Sequence, residues 1–162
     1  MFDFLKKPTQ VELKAPLTGQ LIALSAVDDE VFASKAVGDG FAVNPAADGK
    51  QVVSPVDGIV SSIFPTKHAI MLTTKAGVEV LIHLGIDTVE LNGTPFTMQV
   101  SEGMKVKQGT PLVTVDWAAV QAAGKGTSVM VVSANAVFAL TITPDVAVTP
   151  ATVIGTFSPV VK

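Results

Sequence analysis

The chain has 162 residues, a formal net charge of −3 at pH 7, and 48% hydrophobic against 15% charged residues, a composition that predicts a folded chain with a sizeable core and excludes disorder. It contains no cysteine, which excludes disulfides and thiol chemistry within the chain. All its basic residues are lysines, so it lacks the bidentate arginine grip on phosphate, and its negative charge argues against nucleic-acid binding.

The start of the chain, MFDFLKKP, has an acidic residue among its apolar ones and no apolar run long enough for a signal peptide. We therefore expect a cytoplasmic protein. A flexible tail is predicted over residues 1–10 and a single domain over residues 11–162. The initial Met1 and the charged start favour a free-standing protein over a domain cut from a longer chain.

Short apolar runs rich in valine, isoleucine and threonine alternate with glycine, proline, asparagine and aspartate, which is typical of an antiparallel β-sandwich or a barrel-like all-β fold. Helix signals are sparse: one turn over 31–35, and a short helix over 117–123 with Asp116 as N-cap and Gly124 as stop. The predicted strands lie near 11–14, 20–24, 41–43, 51–53, 59–64, 68–73, 78–84, 96–100 and 112–115, followed by the later apolar runs.

An internal repeat indicates a duplicated β architecture. The segment APLTGQL at 15–21 matches SPVDGIV at 54–60 in its Pro-to-Gly pattern, and each copy should turn the chain into a new strand. A weaker match links 102–112 with 146–154, which suggests a second repeated unit.

The two histidines of the chain, His68 and His83, flank a predicted β-hairpin. A two-residue turn on Lys75 and Ala76 places His68 opposite His83, and opposed side chains have Cβ atoms about 4.5 to 5.5 Å apart. A bulge at Gly77 would shift this pairing by about one residue without separating the rings far. The sequence therefore predicts two adjacent imidazoles.

Residues 126–144 contain no charged side chain, but Ser133, Asn135, Thr141 and Thr143 interrupt the apolar run. Two β-branched clusters flank a turn at 133–135. This pattern predicts two buried strands rather than a membrane-spanning helix.

Two adjacent imidazoles support several kinds of chemistry. Near neutral pH an imidazole can attack a phosphoryl group, stabilise charge as a cation or bind a metal, and a purely structural pair is the remaining interpretation. We expect the pair to titrate in two coupled steps spread around about 6.5. His83 ends a strand before Gly85, Asp87 and Thr88, where glycine allows a partner to approach.

Four segments carry a resemblance to a known family: FPTKHAI (64–70), GVEVLIHLGIDTVELNG (77–93), VFASKAVGDGFAV (31–43) and EGMKVKQG (102–109). From about Leu13 to Val132 the chain resembles the glucose-type enzyme IIA of the bacterial phosphoenolpyruvate-dependent sugar phosphotransferase system. The resemblance implies a β-sandwich with a duplicated hybrid motif and a cytoplasmic protein that meets the membrane only through a transporter.

The same resemblance implies the site. His83 would accept phosphate on its outer ring nitrogen from the carrier protein HPr and pass it to a cysteine of the IIB domain of a sugar transporter. His68 would stabilise the transfer, and the Thr66 hydroxyl would orient His68. No cofactor is required, and the membrane component selects the sugar.

The resemblance also implies a partner-binding face. Phe32 and Phe64 match apolar residues that rim this face, Asp87 is expected to pair with a basic residue of the partner, and Asp39 is assigned to the same interface. Core packing of the phenylalanines and an Asx-type cap at Asp87 remain open. A Zn²⁺ ion held by both histidines and a partner's carboxylate is a further implication, as is inhibitory binding of transporters or kinases by the unphosphorylated form.

Two other functions compete with phosphoryl transfer. His83 and Asp87 have the His-x-x-x-Asp spacing of zinc metallopeptidases, although the His-x-His pair of those enzymes is absent. Residues 102–114 resemble the glycine-punctuated strands of biotinyl or lipoyl carrier domains, but neither Met-Lys-Met nor Asp-Lys-Ala occurs.

Overall fold

The computed structural model describes residues 10–160, so the predicted tail lies outside the described residues except for its last position. Strands dominate the described part: β1 (Val11–Lys14), β2 (Gly19–Ala23), β3 (Asp39–Pro45), β4 (Gln51–Val53), β5 (Gly58–Ile63), β6 (Ala69–Thr73), β7 (Glu79–Ile86), β8 (Phe96–Met98), β9 (Lys105–Val106), β10 (Pro111–Val115), β11 (Gly126–Ser133), β12 (Ala136–Leu140), β13 (Val146–Val148) and β14 (Val153–Pro159). The helices are short: α1 (Glu30–Ala33), α2 (Trp117–Ala122) and 3-10 turns at Leu24–Ala26 and Thr88–Leu91.

The strands form three open antiparallel sheets. The largest has the order β13-β2-β3-β11-β7-β6-β5-β9, and two three-stranded sheets have the orders β1-β14-β12 and β4-β10-β8. One extended cluster of buried aliphatic and aromatic residues packs between sheets, and a smaller cluster covers the other face of the large sheet. The predicted all-β sandwich with short helices is therefore confirmed, and its sheets do not close into a barrel.

Both predicted helices form, α2 within one residue of its predicted end and α1 over Glu30–Ala33 rather than 31–35. The Asp116 carboxylate accepts a hydrogen bond from Ala119 N at 3.1 Å, and Gly124 ends the helix with φ of +77°. Such a cap satisfies an amide that has no partner within the helix. The α2 helix has 6 residues against the roughly 20 that span a bilayer, and no helix in residues 10–160 could cross a membrane.

Hydrogen bonds confirm the first repeat. Lys14 N donates to Pro55 O at 3.1 Å, and at the equivalent positions of the other copy Val53 N donates to Pro16 O at 2.7 Å. The two copies thus exchange equivalent backbone hydrogen bonds, as an approximate twofold relation requires. Each Pro-to-Gly segment leads into a new strand, β2 or β5.

The weaker repeat is also structural. Thr110 N donates to Lys107 O and Thr152 N to Thr149 O, both at 2.9 Å, and each threonine hydroxyl accepts a bond from the first residue of its own turn at 3.0 Å. The strands that precede these turns pair equivalently, since Val106 lies opposite Gly58 and Val148 opposite Gly19. The fold is built from two copies of both units.

The uncharged stretch at 126–144 forms two strands, as predicted, but only one of them is buried. β11 runs through the middle of the large sheet, with Val129 to Ser133 inaccessible to solvent, whereas β12 joins a small sheet as an edge strand. Val137 is 60% exposed and Leu140 39% exposed. The prediction of two buried strands was wrong for β12, because an apolar composition does not reveal which strand takes an edge.

The β6–β7 hairpin has the bulged register. Ala69 lies opposite His83 and Thr73 opposite Glu79, while Gly77 takes φ of +88° in the connecting turn. The two-residue turn that would have placed His68 directly opposite His83 is therefore wrong. A glycine at positive φ closes a three-residue loop whose twist matches that of the strands.

Alternation along β7 decides which residues face the core. Val80, Ile82 and Leu84 point into the extended cluster, while Leu81 packs against the smaller cluster, which also contains Ile86. His83 lies on the same face as Leu81 because successive side chains of a strand point to opposite faces. His83 therefore projects from the sheet face that the smaller cluster covers only in part.

Candidate functional site

The two imidazoles are adjacent, as predicted. Their ring centroids lie 5.1 Å apart with an interplanar angle of 78°. In a continuous strand of this register His68 would face the core beside Leu84, but Lys67 has φ of +61° and His68 lies in a bend before β6 begins. The bend turns the His68 ring toward His83, and Leu84 N still donates to His68 O at 2.7 Å.

The backbone fixes the protonation pattern of His83. Its Nδ1 lies 2.8 Å from the carbonyl oxygen of Gly85. A carbonyl only accepts hydrogen bonds, so in the neutral ring the proton sits on Nδ1. The lone pair is then on Nε2, the outer ring nitrogen, and this is the form that a nucleophilic imidazole needs.

Gly85 allows the chain to make this contact. It has φ of +85°, and a Cβ there would lie 2.7 Å from Gly126 O and 2.7 Å from the Thr88 methyl carbon. Both the backbone angle and the lack of space require glycine. The carbonyl that holds His83 therefore comes from a position where no other residue fits.

His68 is held by its neighbour in the same loop. The Thr66 hydroxyl lies 2.6 Å from His68 Nδ1, and His68 is only 8% exposed. The hydrogen bond with Thr66 therefore occupies Nδ1 and fixes the orientation of the His68 ring. No residue in the described range 10–160 forms a hydrogen bond with His68 Nε2.

Each imidazole contacts a phenylalanine. The ring centroids of Phe32 and His83 are 4.8 Å apart, and those of Phe64 and His68 are 5.5 Å apart. Phe32 is 6% exposed and belongs to the smaller core cluster, whereas Phe64 is 36% exposed. The core-packing interpretation thus describes Phe32, and Phe64 offers apolar surface at the rim of the site.

The carboxylates predicted near the site lie in different places. Asp87 is exposed, has φ of +61° and makes no capping hydrogen bond through its side chain, so its interpretation as an Asx-type cap was wrong. Asp39 accepts a hydrogen bond from Gly40 N at 2.8 Å and lies 3.5 Å from Lys35 Nζ. Among residues 10–160 no side-chain hydrogen bond or ion pair involves the Asp87 carboxylate, whose charge acts on His83, whereas Asp39 pairs with Lys35.

Asp29 is a site residue that the sequence analysis missed. Its carboxylate caps α1 by accepting from Val31 N at 2.9 Å and from Phe32 N at 3.3 Å, and so holds the helix that places Phe32 against His83. The sequence signal was an aspartate just before the predicted helical turn. Its proximity to His83 depends on tertiary structure, which that signal does not contain.

Burial lowers the pKa of both histidines below the ordinary value of 6.5. For His83, burial is the largest cause and repulsion from His68 adds to it, while the Gly85 carbonyl and the charges of Asp29 and Asp87 act in the opposite direction. The expectation of two steps spread around 6.5 is therefore corrected to two steps that both lie below it. The lowered pKa values favour the neutral form of both rings at pH 7.

Replacing Asp29 with asparagine separates its charge from its role as a cap. Asparagine caps helices about as well as aspartate, so α1 and Phe32 should stay in place while the charge is lost. We expect Asp29→Asn to lower the pKa of His83 further. Proton NMR titration of the His83 ring would measure the shift.

Asp28→Asn is the matched control, because it removes the same charge from the adjacent, exposed position, which has no part in the pKa of His83. An equal shift in both variants would contradict the assignment of the effect to Asp29.

The histidine pair offers two ligands for a metal ion. Within residues 10–160 no group of three or more His, Cys, Asp or Glu side chains is placed to hold one. Structural and catalytic zinc sites use at least three protein ligands. The described residues therefore do not supply the intrinsic site that a zinc hydrolase needs.

Comparison with known proteins gives a consistent result. Residues 11–137 match the family model described as phosphoenolpyruvate-dependent sugar phosphotransferase system, EIIA 1. The chain is 36% identical to a solved structure titled glucose permease IIA from Mycoplasma capricolum, with a TM-score of 0.84 over 96% of this chain and 99% of that one.

Two curated proteins are also similar. One is the PTS system glucose-specific EIICBA component of Streptococcus pneumoniae, with 56% identity over 76% of this chain and 17% of that protein. The other is the PTS system glucose-specific EIIA component of Borreliella burgdorferi, with 44% identity over 70% of this chain and 59% of that protein. The alignments thus span less than two thirds of the length of both relatives.

Proposed function

This chain belongs to the EIIA 1 family of the phosphoenolpyruvate-dependent sugar phosphotransferase system, and from that premise we propose that His83 carries a phosphoryl group between two other proteins. Membership of this family makes the chain a phosphotransferase. The family match and the structural likeness leave the zinc hydrolase and the biotinyl or lipoyl carrier without support.

The observation that carries the proposal is the 2.8 Å contact between His83 Nδ1 and the Gly85 carbonyl. It places the ring proton on Nδ1 and the reactive lone pair on Nε2. The lowered pKa keeps that lone pair unprotonated at neutral pH. A nucleophile that is neutral, oriented and at the end of a strand is what acceptance of a phosphoryl group requires.

The transfer has two steps. His83 Nε2 attacks the phosphorus of phospho-HPr; the new N–P bond forms as the bond to HPr breaks, and the bonding pair returns to HPr. A thiolate of the IIB domain then attacks the same phosphorus, and the His83 N–P bond breaks with its electron pair returning to Nε2. Because the phosphoryl group carries its own charge, the protein mainly positions it and stabilises the equatorial oxygens.

His68 and Thr66 would supply part of that stabilisation. With the Thr66 hydroxyl donating to His68 Nδ1, the proton of the neutral His68 ring lies on Nε2, where it can donate to a phosphoryl oxygen. The 5.1 Å between ring centroids suits two imidazoles that share one phosphoryl group. The Asp87 carboxylate would pair with a cation of the incoming partner, Phe32 and Phe64 would line the apolar contact, and Asp39 is a weaker candidate for the same interface.

The partners and the sugar are inferred from relatives. The names of the relatives from Streptococcus pneumoniae and Borreliella burgdorferi both specify glucose, and the first joins A, B and C components in one protein. We propose phospho-HPr as donor, the IIB domain of a glucose or related permease as acceptor, and a cytoplasmic location beside that permease. Binding of transporters or kinases by the unphosphorylated form would use the same face.

A reconstituted phosphorylation assay tests the function. The chain is incubated with phosphoenolpyruvate, enzyme I and HPr, and acid-labile phosphate is located by mass spectrometry under neutral conditions. Phosphate on His83 that a purified IIB domain then removes supports the proposal. Absence of labelling while the same mixture phosphorylates another EIIA protein would overturn it.

The lowered pKa values predict how activity depends on pH. His83 keeps its lone pair below pH 6.5, so acceptance from phospho-HPr should persist there and fall only as the pH drops through its lowered pKa. The rate profile, measured beside NMR titration of both rings, checks this. Asp29→Asn should lower the midpoint of the rate profile and the midpoint of the His83 NMR titration together. If it did not, the rate would depend on the titration of another group.

Stability should change with pH in the same range. The unfolded rings bind a proton near 6.5 and the folded rings only below it, so between these pH values the unfolded state holds more protons. The free energy of unfolding should therefore rise as the pH increases through this range. The contribution of the two histidines to stability is lost as the pH falls through it. Urea unfolding at several pH values would measure the trend.

We also propose that the pair can bind Zn²⁺ only together with a partner. His83 offers the lone pair of Nε2, because its Nδ1 proton is donated to the Gly85 carbonyl. His68 would have to carry its proton on Nδ1, donating to the Thr66 hydroxyl, before its Nε2 could bind the ion, and a partner's carboxylate would provide the missing ligand. Bound zinc would link the two proteins rather than take part in phosphoryl transfer. Isothermal titration of Zn²⁺ into the chain alone and into its complex with a partner distinguishes shared from intrinsic binding.

A further inference from the structure

A buried threonine lies directly behind the contact that orients His83. Thr88 has no solvent exposure, and its hydroxyl donates to the carbonyl oxygen of Leu84 at 2.6 Å. Thr88 begins the 3-10 turn that follows β7, and this turn is also tied to the segment after α2 by the 2.6 Å ion pair between Glu90 and Lys125. The loop between Leu84 and Thr88 is thus held at both ends.

The Thr88 methyl group packs against Gly85. Its carbon lies 2.7 Å from the point where a side chain on Gly85 would begin, so it fills the space that the glycine leaves. The hydroxyl of the same side chain holds the carbonyl of the residue before Gly85. One side chain therefore contacts both the Leu84 carbonyl and Gly85, the residue whose carbonyl accepts the His83 proton.

We propose that Thr88 is a positioning residue for His83. Through its bond to Leu84 O and its contact with Gly85 it keeps the Gly85 carbonyl aimed at His83 Nδ1, which keeps the lone pair on Nε2. The phosphoryl group does not touch Thr88. This inference rests on the proposed role of His83, but its effect on the imidazole can be measured without any phosphoryl transfer.

The loop that Thr88 spans has an uncommon backbone conformation. Gly85 and Asp87 both have positive φ, at +85° and +61°, and Asp87 makes no side-chain cap of its own. A non-glycine residue at positive φ needs surrounding structure to hold it. The bond from the buried Thr88 hydroxyl to Leu84 O spans this segment and so restrains the Gly85 carbonyl.

The test compares Thr88→Val with Thr88→Ser. Valine keeps the shape and loses the hydroxyl, whereas serine keeps the hydroxyl and loses the methyl group. Nitrogen-15 NMR of the His83 ring reports directly which nitrogen carries the proton. We expect the Nε2-protonated form to appear in Thr88→Val and to stay minor in Thr88→Ser.

Acceptance of phosphate should follow the same order. Removing the hydrogen-bond partners that orient metal-bound histidines typically costs about 10- to 100-fold in activity. By analogy we expect kcat for acceptance to fall about tenfold in Thr88→Val with little change in KM for phospho-HPr. A rise in KM alone would mean that Thr88 shapes the docking surface instead, and would overturn the proposal.

Thr74→Val is the matched control. Thr74 is a second buried threonine, whose hydroxyl accepts from Val78 N at 3.1 Å in the β6–β7 turn, at the far end of the hairpin from His83. The substitution removes a buried hydroxyl in the same way but should leave the His83 ring unchanged. If Thr74→Val and Thr88→Val changed the protonation pattern of the His83 ring equally, Thr88 would only stabilise the fold and would have no specific role in orienting His83.

Two further outcomes are decisive. An unchanged His83 spectrum in folded Thr88→Val would refute the proposal even if the chain is a phosphoryl carrier, while a changed spectrum would support it even if His83 never accepts phosphate. If Thr88→Val does not fold, the parent protein still provides a test, because the proposal requires a Thr88 hydroxyl proton protected from exchange. A freely exchanging hydroxyl there would overturn it.

Discussion

His83→Ala should abolish phosphate uptake from phospho-HPr. The substitution removes the atom that would form the bond to phosphorus, and loss of a nucleophile lowers turnover by many orders of magnitude, here at least about 10³-fold. His83 lies on a partly covered sheet face, so truncation should reduce stability by only about 1 to 3 kcal/mol and leave the fold intact. Mass spectrometry after incubation with phosphoenolpyruvate, enzyme I and HPr measures the loss.

The composition of the chain makes this result easy to interpret. His68 and His83 are its two histidines and cysteine is absent, so phosphohistidine in His83→Ala could lie only on His68. That outcome would exchange the roles assigned to the two rings. An amide NMR spectrum that differs from the parent only near β6, β7 and α1 would show that the loss of uptake is chemical rather than structural.

His68→Gln should separate acceptance from onward transfer. A glutamine amide can donate a hydrogen bond to a phosphoryl oxygen, so phosphate should still reach His83 at a rate within a few-fold of the parent. Glutamine cannot gain a proton as charge develops, so transfer to the IIB domain should slow by about 100-fold or more. Rapid-quench measurement of both half-reactions with purified HPr and IIB distinguishes the two effects.

Thr66→Val provides a graded control for His68→Gln. It removes the hydroxyl 2.6 Å from His68 Nδ1 but keeps the imidazole, so it should slow onward transfer less than His68→Gln does. If His68→Gln and the parent transfer phosphate to IIB at the same rate, His68 takes no part in the reaction. If Thr66→Val proves slower than His68→Gln, the hydroxyl itself contacts the phosphoryl group or the partner.

The amino-acid sequence alone is enough to predict the all-β class, the duplication and the proximity of the histidines. These follow from local patterns: β-branched runs between turn residues, Pro-to-Gly segments that recur, and a hairpin whose ends must meet whichever of two neighbouring registers it takes. Asp116 is recognisable as a cap from the sequence because capping depends on residues only three positions apart. Such features need no knowledge of distant parts of the chain.

The details that make the site reactive depend on the folded chain. The bend at Lys67 turns His68 toward His83, Asp29 reaches His83 from another segment of the chain, and burial lowers both pKa values. The edge position of β12 likewise depends on which strands pair, not on its apolar composition. A local sequence pattern predicts which face or turn a residue prefers. The electrostatic potential and the packing around an imidazole come from residues that are far apart in sequence and meet only in the folded chain.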